Sequence, residues 1–321
     1  MKCTIPNQLI QRILFAVCCL VLLREQAAAQ TEIDGIMMAK NKFCLGPVYS
    51  YSSWTDYWEG KMKRDNENLG RVSTQMAAIM GNYGITDKLN VLFSLPYVST
   101  KASAGTLHGM NGIQDFSLWV KWMPIEQKIG KGDFSAYAIG GYSLPASNYA
   151  ADFLPLSIGL RSRNLSLRAM ADYQLGWFYV TGSATYVVRS NISIDRSAYY
   201  TTEMHYTNKV DMPDAASFNF RTGYRQGNLV AEAIIDNWTT LGGFDITRNN
   251  MPFPSNKMNA TRVGANVKYE IAQLRGLSLI GGGNYTIAGR NMGQATTVYG
   301  GIFYILDFAA SRKTTTSPKK N

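Results

Sequence analysis

Cysteine and histidine are scarce in this chain, which has 321 residues but only 4 Cys and 2 His. All the cysteines except Cys44 lie in residues 1–29, so no internal disulfide is possible once that segment is removed. The histidines, His108 and His205, lie far apart in the sequence and have no metal-ligand spacing. We therefore expect neither a disulfide scaffold nor a metal site, and no cofactor.

Charged residues are also few, at 17% compared with about 25% in soluble domains. The N-terminal apolar run Ile13–Leu23 is shorter than the ~20 residues of a transmembrane helix. It follows Lys2 and Arg12 and precedes Ala27–Ala29, which is the order of a signal peptide with a small-residue cleavage site. We therefore expect residues 1–29 to be a cleaved signal peptide and the mature chain to be exported.

Alternation of apolar and polar residues is what this sequence has in abundance. From Leu89 to Tyr97 every second residue is large and apolar, and the residues between them are mostly polar or small. This period of two is typical of a β-strand with one face in an apolar medium. The preceding Thr86-Asp87-Lys88 has turn chemistry and is too short for a crossover, so the flanking strands are antiparallel neighbours. A long hairpin with an apolar outer face is the unit of a membrane β-barrel.

The same pattern predicts about twelve strands between residues 45 and 308. Their connectors alternate in length. Long connectors are predicted at 58–69, 100–112, 145–161, 191–215 and 239–257, short ones at 86–88, 124–131, 175–176, 227–228 and 270–276, and a short sixth outer connector at 289–294. Short periplasmic turns, long outer loops and an even strand number are typical of bacterial outer-membrane proteins. The predicted fold is therefore all-β, a transmembrane antiparallel β-barrel in the cell outer membrane.

The chain divides into four predicted parts. After the signal peptide, residues 30–44 are expected to be a periplasmic segment, 45–308 the barrel and 309–321 a disordered polar tail. The content of 19 Tyr, 13 Phe and 6 Trp suits the aromatic girdles of such a barrel. The competing fold is a secreted β-sandwich, which would bury one sheet face but would not place its long loops consistently at one end.

Charged side chains collect on the strand face opposite the apolar residues. An arginine or lysine in hydrocarbon costs about 2–4 kcal/mol at the membrane midplane, so these side chains are predicted to point into the barrel. They are Asp115, Lys121, Arg168, Asp172, Arg189, Arg221, Arg225, Glu232, Asp236, Arg262, Lys268 and Asp307. A polar conduit with this excess of cations would favour anions. The alternative is a plugged interior, in which the charges pair and nothing is conducted. The size of the barrel does not decide between a conduit and a plugged interior. A barrel of about twelve strands lies between filled barrels of ~8 strands and open porins of ~16 strands.

One stretch resembles a known family. The segment YGITDKLNVLFSLPYV at 83–98, followed by a loop and then by Gly112-Ile113-Gln114-Asp115 at the start of a strand, is similar to the outer-membrane family named for the "MetA-pathway of phenol degradation". The likeness in strand order covers about residues 45–308. It implies a transporter-type barrel of Gram-negative bacteria and an association with aromatic degradation, and it brings no catalytic residues.

Three functions are compatible with these observations. The first is an outer-membrane channel or transporter for small solutes, hydrophobic or aromatic ones included. The second is a non-conducting structural or surface-binding barrel with long loops. The third, an outer-membrane lipid hydrolase, needs a serine, a histidine and a polar orienting group, and neither His108 nor His205 adjoins a nucleophile motif. We therefore expect no enzymatic activity.

The expected partners follow from the barrel. They are the outer-membrane lipids, the barrel-assembly machinery, which would read the terminal strand ending at Phe308, and a small-molecule solute. The formal net charge of +10 is spread over strands and tail, so we expect no nucleic acid. Attraction to anionic lipid headgroups accounts for the basic charge.

Overall fold

The computed structural model describes residues 31–247 and 250–308, so the predicted signal peptide and polar tail lie outside the described residues. Twelve long strands form the wall. They are β1 Lys42–Trp54, β2 Val72–Thr86, β3 Leu89–Ala102, β4 Asp115–Ile129, β5 Gly132–Pro145, β6 Asn164–Leu175, β7 Phe178–Arg189, β8 Ala215–Gln226, β9 Leu229–Thr240, β10 Asn259–Glu270, β11 Leu277–Arg290 and β12 Thr296–Asp307. No helix among the described residues is long and apolar enough to cross a membrane.

The sheet closes on itself into a barrel. Each strand pairs antiparallel with its sequence neighbours, and β1 pairs with both β2 and β12. Closure leaves no unpaired strand edge, which is the condition for a sheet to span a bilayer. The predicted fold class, a transmembrane antiparallel barrel, is confirmed.

The outer surface of the barrel is apolar. Outward-facing side chains include Leu95, Leu167, Phe218 and Ile302, and each exposes between 38% and 59% of its surface. Because a contiguous apolar surface of this kind is unstable in water, the belt fits the hydrocarbon core of a membrane.

Several strand boundaries differ from the sequence prediction by a few residues, and two of these differences concern β1 and β4. β1 begins at Lys42, three residues before the predicted start at 45. β4 continues to Ile129, so the predicted connector 124–131 is wrong and the turn is limited to 130–131. A register shift between Trp122 and Ile125 marks a bulge around Pro124, where a proline without an N–H group can be accommodated.

The long connectors lie at one end of the barrel and the short turns at the other. Five long connectors span 55–71, 103–114, 146–163, 190–214 and 241–258, and the sixth, 291–295, is short. At the opposite end the connectors are 87–88, 130–131, 176–177, 227–228 and 271–276. This distribution places the long loops on the outer side by the usual arrangement of such barrels.

The connector 146–163 folds back over the mouth of the barrel. Leu156 in this loop is fully buried and packs against Leu69 and Val72. Its carbonyl accepts a hydrogen bond of 2.6 Å from the hydroxyl of Thr100 in β3. Ile158 packs against Val98, also in β3. The loop therefore covers the mouth on the side of β2 and β3.

The residues before β1 lie against the inner face of the barrel. The prediction treated 30–44 as a periplasmic segment, but residues 31–41, which we call the N-terminal segment, contact side chains of the inner barrel face. The reason is electrostatic, because this segment carries a carboxylate that is paired with lysines of the wall.

Candidate functional site

Asp34 lies in the barrel interior and is 2% exposed. Its Oδ1 lies 3.3 Å from Nζ of Lys121 in β4, and its Oδ2 lies 2.5 Å from Nζ of Lys268 in β10. The same carboxylate accepts hydrogen bonds from the backbone N–H groups of Thr31 (2.7 Å) and Ile36 (3.2 Å). The N-terminal segment therefore turns tightly around Asp34 and presents it to two cations of the wall.

Lys121 is fully buried, and the N-terminal segment supplies its hydrogen-bond acceptors. Its ammonium donates to the carbonyl oxygens of Thr31 (3.1 Å), Asp34 (2.6 Å) and Ile36 (2.8 Å), besides the Asp34 carboxylate. A buried ammonium is stable only when its protons are satisfied. The segment therefore meets this requirement with several acceptors at once.

Further contacts hold the segment against the wall. Nη1 of Arg168 donates to the carbonyl of Glu32 at 2.8 Å, and the hydroxyl of Tyr137 donates to the carbonyl of Gly35 at 2.8 Å. A side chain at Gly35 would collide with the carboxylate of Asp172. This close approach explains why glycine suits that position.

The end of the segment nearest β1 is apolar. Met38 is 2% exposed and packs with Cys44, Phe303 and Ile305 on the inner face. Nearby, the backbone N–H of Lys40 donates to Asp87 in the β2–β3 turn at 2.9 Å. The segment is thus anchored at the short-turn end of the barrel and reaches inward from there. Cys44 is a packed residue of this cluster.

A second group of charges is paired within the wall itself. The guanidinium of Arg225 donates two hydrogen bonds to Asp172, at 2.9 and 3.1 Å, and lies 3.7 Å from the centre of the Tyr179 ring. Arg221 donates to Glu232 at 2.6 Å. All four charged side chains are at most 8% exposed. Both members of each pair belong to strands of the wall.

The remaining predicted interior residues lie nearer the ends of the lumen. Arg262 pairs with Asp236 at 3.2 Å, Asp115 accepts a hydrogen bond of 2.5 Å from Tyr149, and Nε of Arg189 donates to Pro213 at 2.5 Å. Asp307 is the exception, because it lies at the short-turn rim with its side chain 41% exposed, 3.9 Å from Lys42.

A cavity of about 370 Å³ opens on the long-loop side of the N-terminal segment. Its lining combines polar and aromatic side chains, among them Glu32, Ser94, Ser117, Trp119, Arg168 and Trp238. The guanidinium of Arg168 lies 5.1 Å from the centre of the Trp119 ring. The cavity therefore offers a cation, hydroxyl groups and flat apolar surfaces within one enclosure.

Sequence reasoning missed Asp34 and the lumenal tyrosines Tyr137 and Tyr179. The tyrosines lie on the same inner strand face as the charged residues, so the alternation of inward and outward positions along each strand is the signal that could have identified them. Asp34 belongs to no strand, and no periodic pattern marks it. The histidines are engaged in the loops or exposed: His205 stacks on Tyr199 at 4.8 Å, and His108 is exposed.

The comparisons with known proteins concern the fold. The COG4313 outer membrane channel from Pseudomonas putida F1 has a TM-score of 0.66 and 14% sequence identity, and the match covers 87% of this chain and all of that chain (100%). The translocator domain of the autotransporter NalP from Neisseria meningitidis has a TM-score of 0.44 and 11% identity, and covers 93% and 95% of the two chains. No family model and no curated protein matches the chain. The first similarity supports the barrel architecture of the outer-membrane type.

Proposed function

We propose that this protein is an outer-membrane channel for the passive passage of small solutes, and that the described conformation is its closed state. The observation that carries the proposal is a charged and polar inner face around a cavity of about 370 Å³. A barrel that served only as a scaffold could fill its interior with apolar side chains. This one keeps buried cations that need acceptors or water.

The N-terminal segment can act as the closure because it is not part of the wall. Residues 31–41 form no strand of the barrel sheet. Asn41, whose backbone bonds to Gly84 and Phe308, would stay in place while residues 31–40 leave. The space that they leave would join the cavity and reach the short-turn end. The loop 146–163 restricts the other end by its contacts with β2 and β3.

The cavity suits a small molecule with a ring and a polar group. Its volume lies within the range of about 300–1,000 Å³ for small-molecule sites. Trp119, Trp238 and Phe303 supply apolar faces, and Arg168 and several hydroxyl groups supply polar contacts. The resemblance to the family named for the "MetA-pathway of phenol degradation" supports aromatic or hydrophobic solutes. We propose membership of that family on the same grounds.

We propose that the protein has no enzymatic activity and binds no nucleic acid, that the apolar belt contacts outer-membrane lipids, and that the barrel-assembly machinery inserts it. We further propose that the charged residues of the inner face, from Asp115 to Lys268, line the route of the solute. Asp307, at the rim, is outside that route.

One specific observation favours a second function. The lumen in the described conformation is filled by the N-terminal segment and by ion pairs of the wall. A barrel that stays in this conformation would conduct nothing and would act through its long loops or as a structural element. The channel proposal therefore requires that the segment can leave.

Planar-bilayer recording of the purified mature protein tests the channel. We expect small, discrete conductance steps, together with uptake of small neutral and anionic solutes by liposomes that contain the protein. A variant lacking residues 31–40 should show a larger conductance, because the closure is absent. If neither protein conducts and neither promotes uptake, the non-conducting function is correct.

A further inference from the structure

We infer that Lys121, Lys268 and Arg168 form a binding site for a carboxylate-bearing solute, and that the Asp34 carboxylate occupies this site in the closed state. This inference rests on the proposed channel and names the chemical class that the channel selects. The N-terminal segment would then be an intramolecular competitor of the solute.

The three cations depend on the N-terminal segment for their acceptors. Lys121 and Lys268 pair with Asp34, and Arg168 donates to the carbonyl of Glu32. Within the described part of the chain, none of the three forms an ion pair with a carboxylate of the wall. The other hydrogen bond that Arg168 makes joins its Nε to the hydroxyl of Thr185 at 2.7 Å.

The other buried arginines near the site behave differently. Arg221 has its counter-ion, Glu232, on the adjacent strand β9, and Arg225 has its counter-ion, Asp172, on β6, two strands away in the wall. These pairs stay neutral whether the segment is present or absent. Departure of the segment therefore uncovers one group of uncompensated cations, which consists of Lys121, Lys268 and Arg168.

A free carboxylate would satisfy the same donors. Hydrogen bonds between a carboxylate and ammonium or guanidinium groups are among the strong ones in proteins. Here two ammonium groups already converge on one carboxylate, with Nζ–O distances of 3.3 and 2.5 Å. The geometry that holds Asp34 therefore fits the carboxylate of a solute.

Two of these three cations lie next to an aromatic ring. The ammonium of Lys121 lies 5.4 Å from the centre of the Tyr137 ring, and Arg168 lies 5.1 Å from the centre of the Trp119 ring. A flat apolar body attached to the carboxylate could pack against these rings. We therefore expect aromatic carboxylates to bind better than small aliphatic ones.

The cavity gives the solute access to the site while the segment is still bound. Arg168 and Glu32 both line the cavity, so a solute entering from the long-loop side meets Arg168 first. A solute whose carboxylate replaces that of Asp34 at Lys121 and Lys268 binds the open state better than the closed state. Binding and opening are then linked, because a ligand shifts a conformational equilibrium by its differential affinity.

Benzoate and its neutral analogue benzamide test the site with the full mature protein in detergent. We expect benzoate to bind the Asp34→Asn variant roughly tenfold more tightly than the unmodified protein, as measured by calorimetry. Asparagine keeps one oxygen, which can accept from the N–H of Thr31 or from that of Ile36, and it removes the competing charge. Benzamide should bind all variants weakly. The double variant Lys121→Met/Lys268→Met should lose the preference for benzoate.

Controls separate this result from misfolding and from the channel itself. Lys63→Met removes a lysine paired with Asp56 in a loop hairpin outside the lumen and should leave benzoate binding unchanged. Heat-modifiable migration on gels verifies the fold of every variant, and Asp34→Ala replaces Asp34→Asn if the latter does not fold.

The outcomes are distinguishable. Equal affinities for benzoate and benzamide in the folded Asp34 variant would overturn the binding site, even if that variant conducts. Tight benzoate binding without conductance in any variant would support the site and refute the channel. If removal of both lysines left the benzoate affinity unchanged, the assignment of the site to these cations would be wrong.

Discussion

Asp34 and Lys268 are 234 positions apart in the sequence, yet Nζ of Lys268 lies 2.5 Å from Oδ2 of Asp34 inside the barrel. The contact joins the N-terminal segment to β10, on a different part of the wall from Lys121 in β4. One carboxylate thus connects two strands that do not pair with each other. The lumen reaches this closed arrangement only when the wall has brought both lysines to its inner face.

The two faces of a strand should differ in their tolerance of charge. Leu95 in β3 faces outward and is 38% exposed, whereas its neighbour Ser94 lines the inner cavity. Leu95→Arg should reduce assembly, since arginine in the hydrocarbon costs about 2–4 kcal/mol at the midplane. Ser94→Arg should assemble. The measurement is the yield of heat-modifiable protein in outer-membrane fractions. Equal losses in the two variants would contradict the assignment of Leu95 to the outer face and Ser94 to the inner face.

The pair Asp172–Arg225 should contribute strongly to stability. Both side chains are at most 8% exposed, so Asp172→Ala leaves a buried guanidinium without its counter-ion, at a cost of about 3–5 kcal/mol. The double variant Asp172→Ala/Arg225→Met should recover much of this loss, because the unpaired charge is gone. Urea unfolding in detergent, followed by tryptophan fluorescence, gives both values. A double variant no more stable than Asp172→Ala would argue against an electrostatic origin.

Leu156 should hold the loop 146–163 over the barrel mouth. It is fully buried, and replacement of a buried leucine by alanine typically costs about 2–5 kcal/mol. Leu156→Ala should therefore release the loop and increase trypsin cleavage after Arg161 or Arg163, which lie within it. Tyr206→Ala is the matched control, because Tyr206 is 86% exposed in a different loop. Unchanged cleavage in Leu156→Ala would mean that other contacts hold the loop.

The loop 241–258 should loosen in acid. Hydrogen bonds from Arg290, at 2.7 and 2.6 Å, lower the pKa of Asp245 from 3.8 to about 2. Because the pKa is lower in the folded state, the pair stabilises the loop fully above the unfolded pKa of 3.8 and is lost as the pH falls towards about 2. A spin label on Met251→Cys should gain mobility over this range. In the Asp245→Asn background the label should be mobile at every pH. If the label's mobility depended on pH in the same way with and without Asp245→Asn, protonation of Asp245 would not be the cause of the loosening.

The orientation in the membrane can be tested by tag insertion. An epitope inserted after Tyr206, in the connector 190–214, should react with antibody on intact cells, since long loops face outward in such barrels. An epitope after Gly227, in the turn 227–228, should react only after the outer membrane is permeabilised. The reverse pattern would invert the orientation.

The sequence by itself determined the wall of the barrel. Alternation with a period of two, as in Leu89–Tyr97, is a local property, and it decides which side chains face lipid and which face the interior. Connector lengths and turn residues are local as well, and they predict the strand order and the end that carries the long loops. The prediction of a connector at 124–131 was wrong, because β4 continues through a bulge at Pro124 to Ile129.

Only the tertiary structure decided what fills the barrel. The N-terminal segment has no periodic pattern, so its sequence does not distinguish the periplasm from the lumen. Likewise, parity places Lys121 and Arg225 on the inner face but does not show that one pairs with Asp34 and the other with Asp172. Those partners come from distant parts of the chain and meet only after closure. Buried charge is stable only when it is paired, and the pairing depends on distances that the folded barrel alone sets.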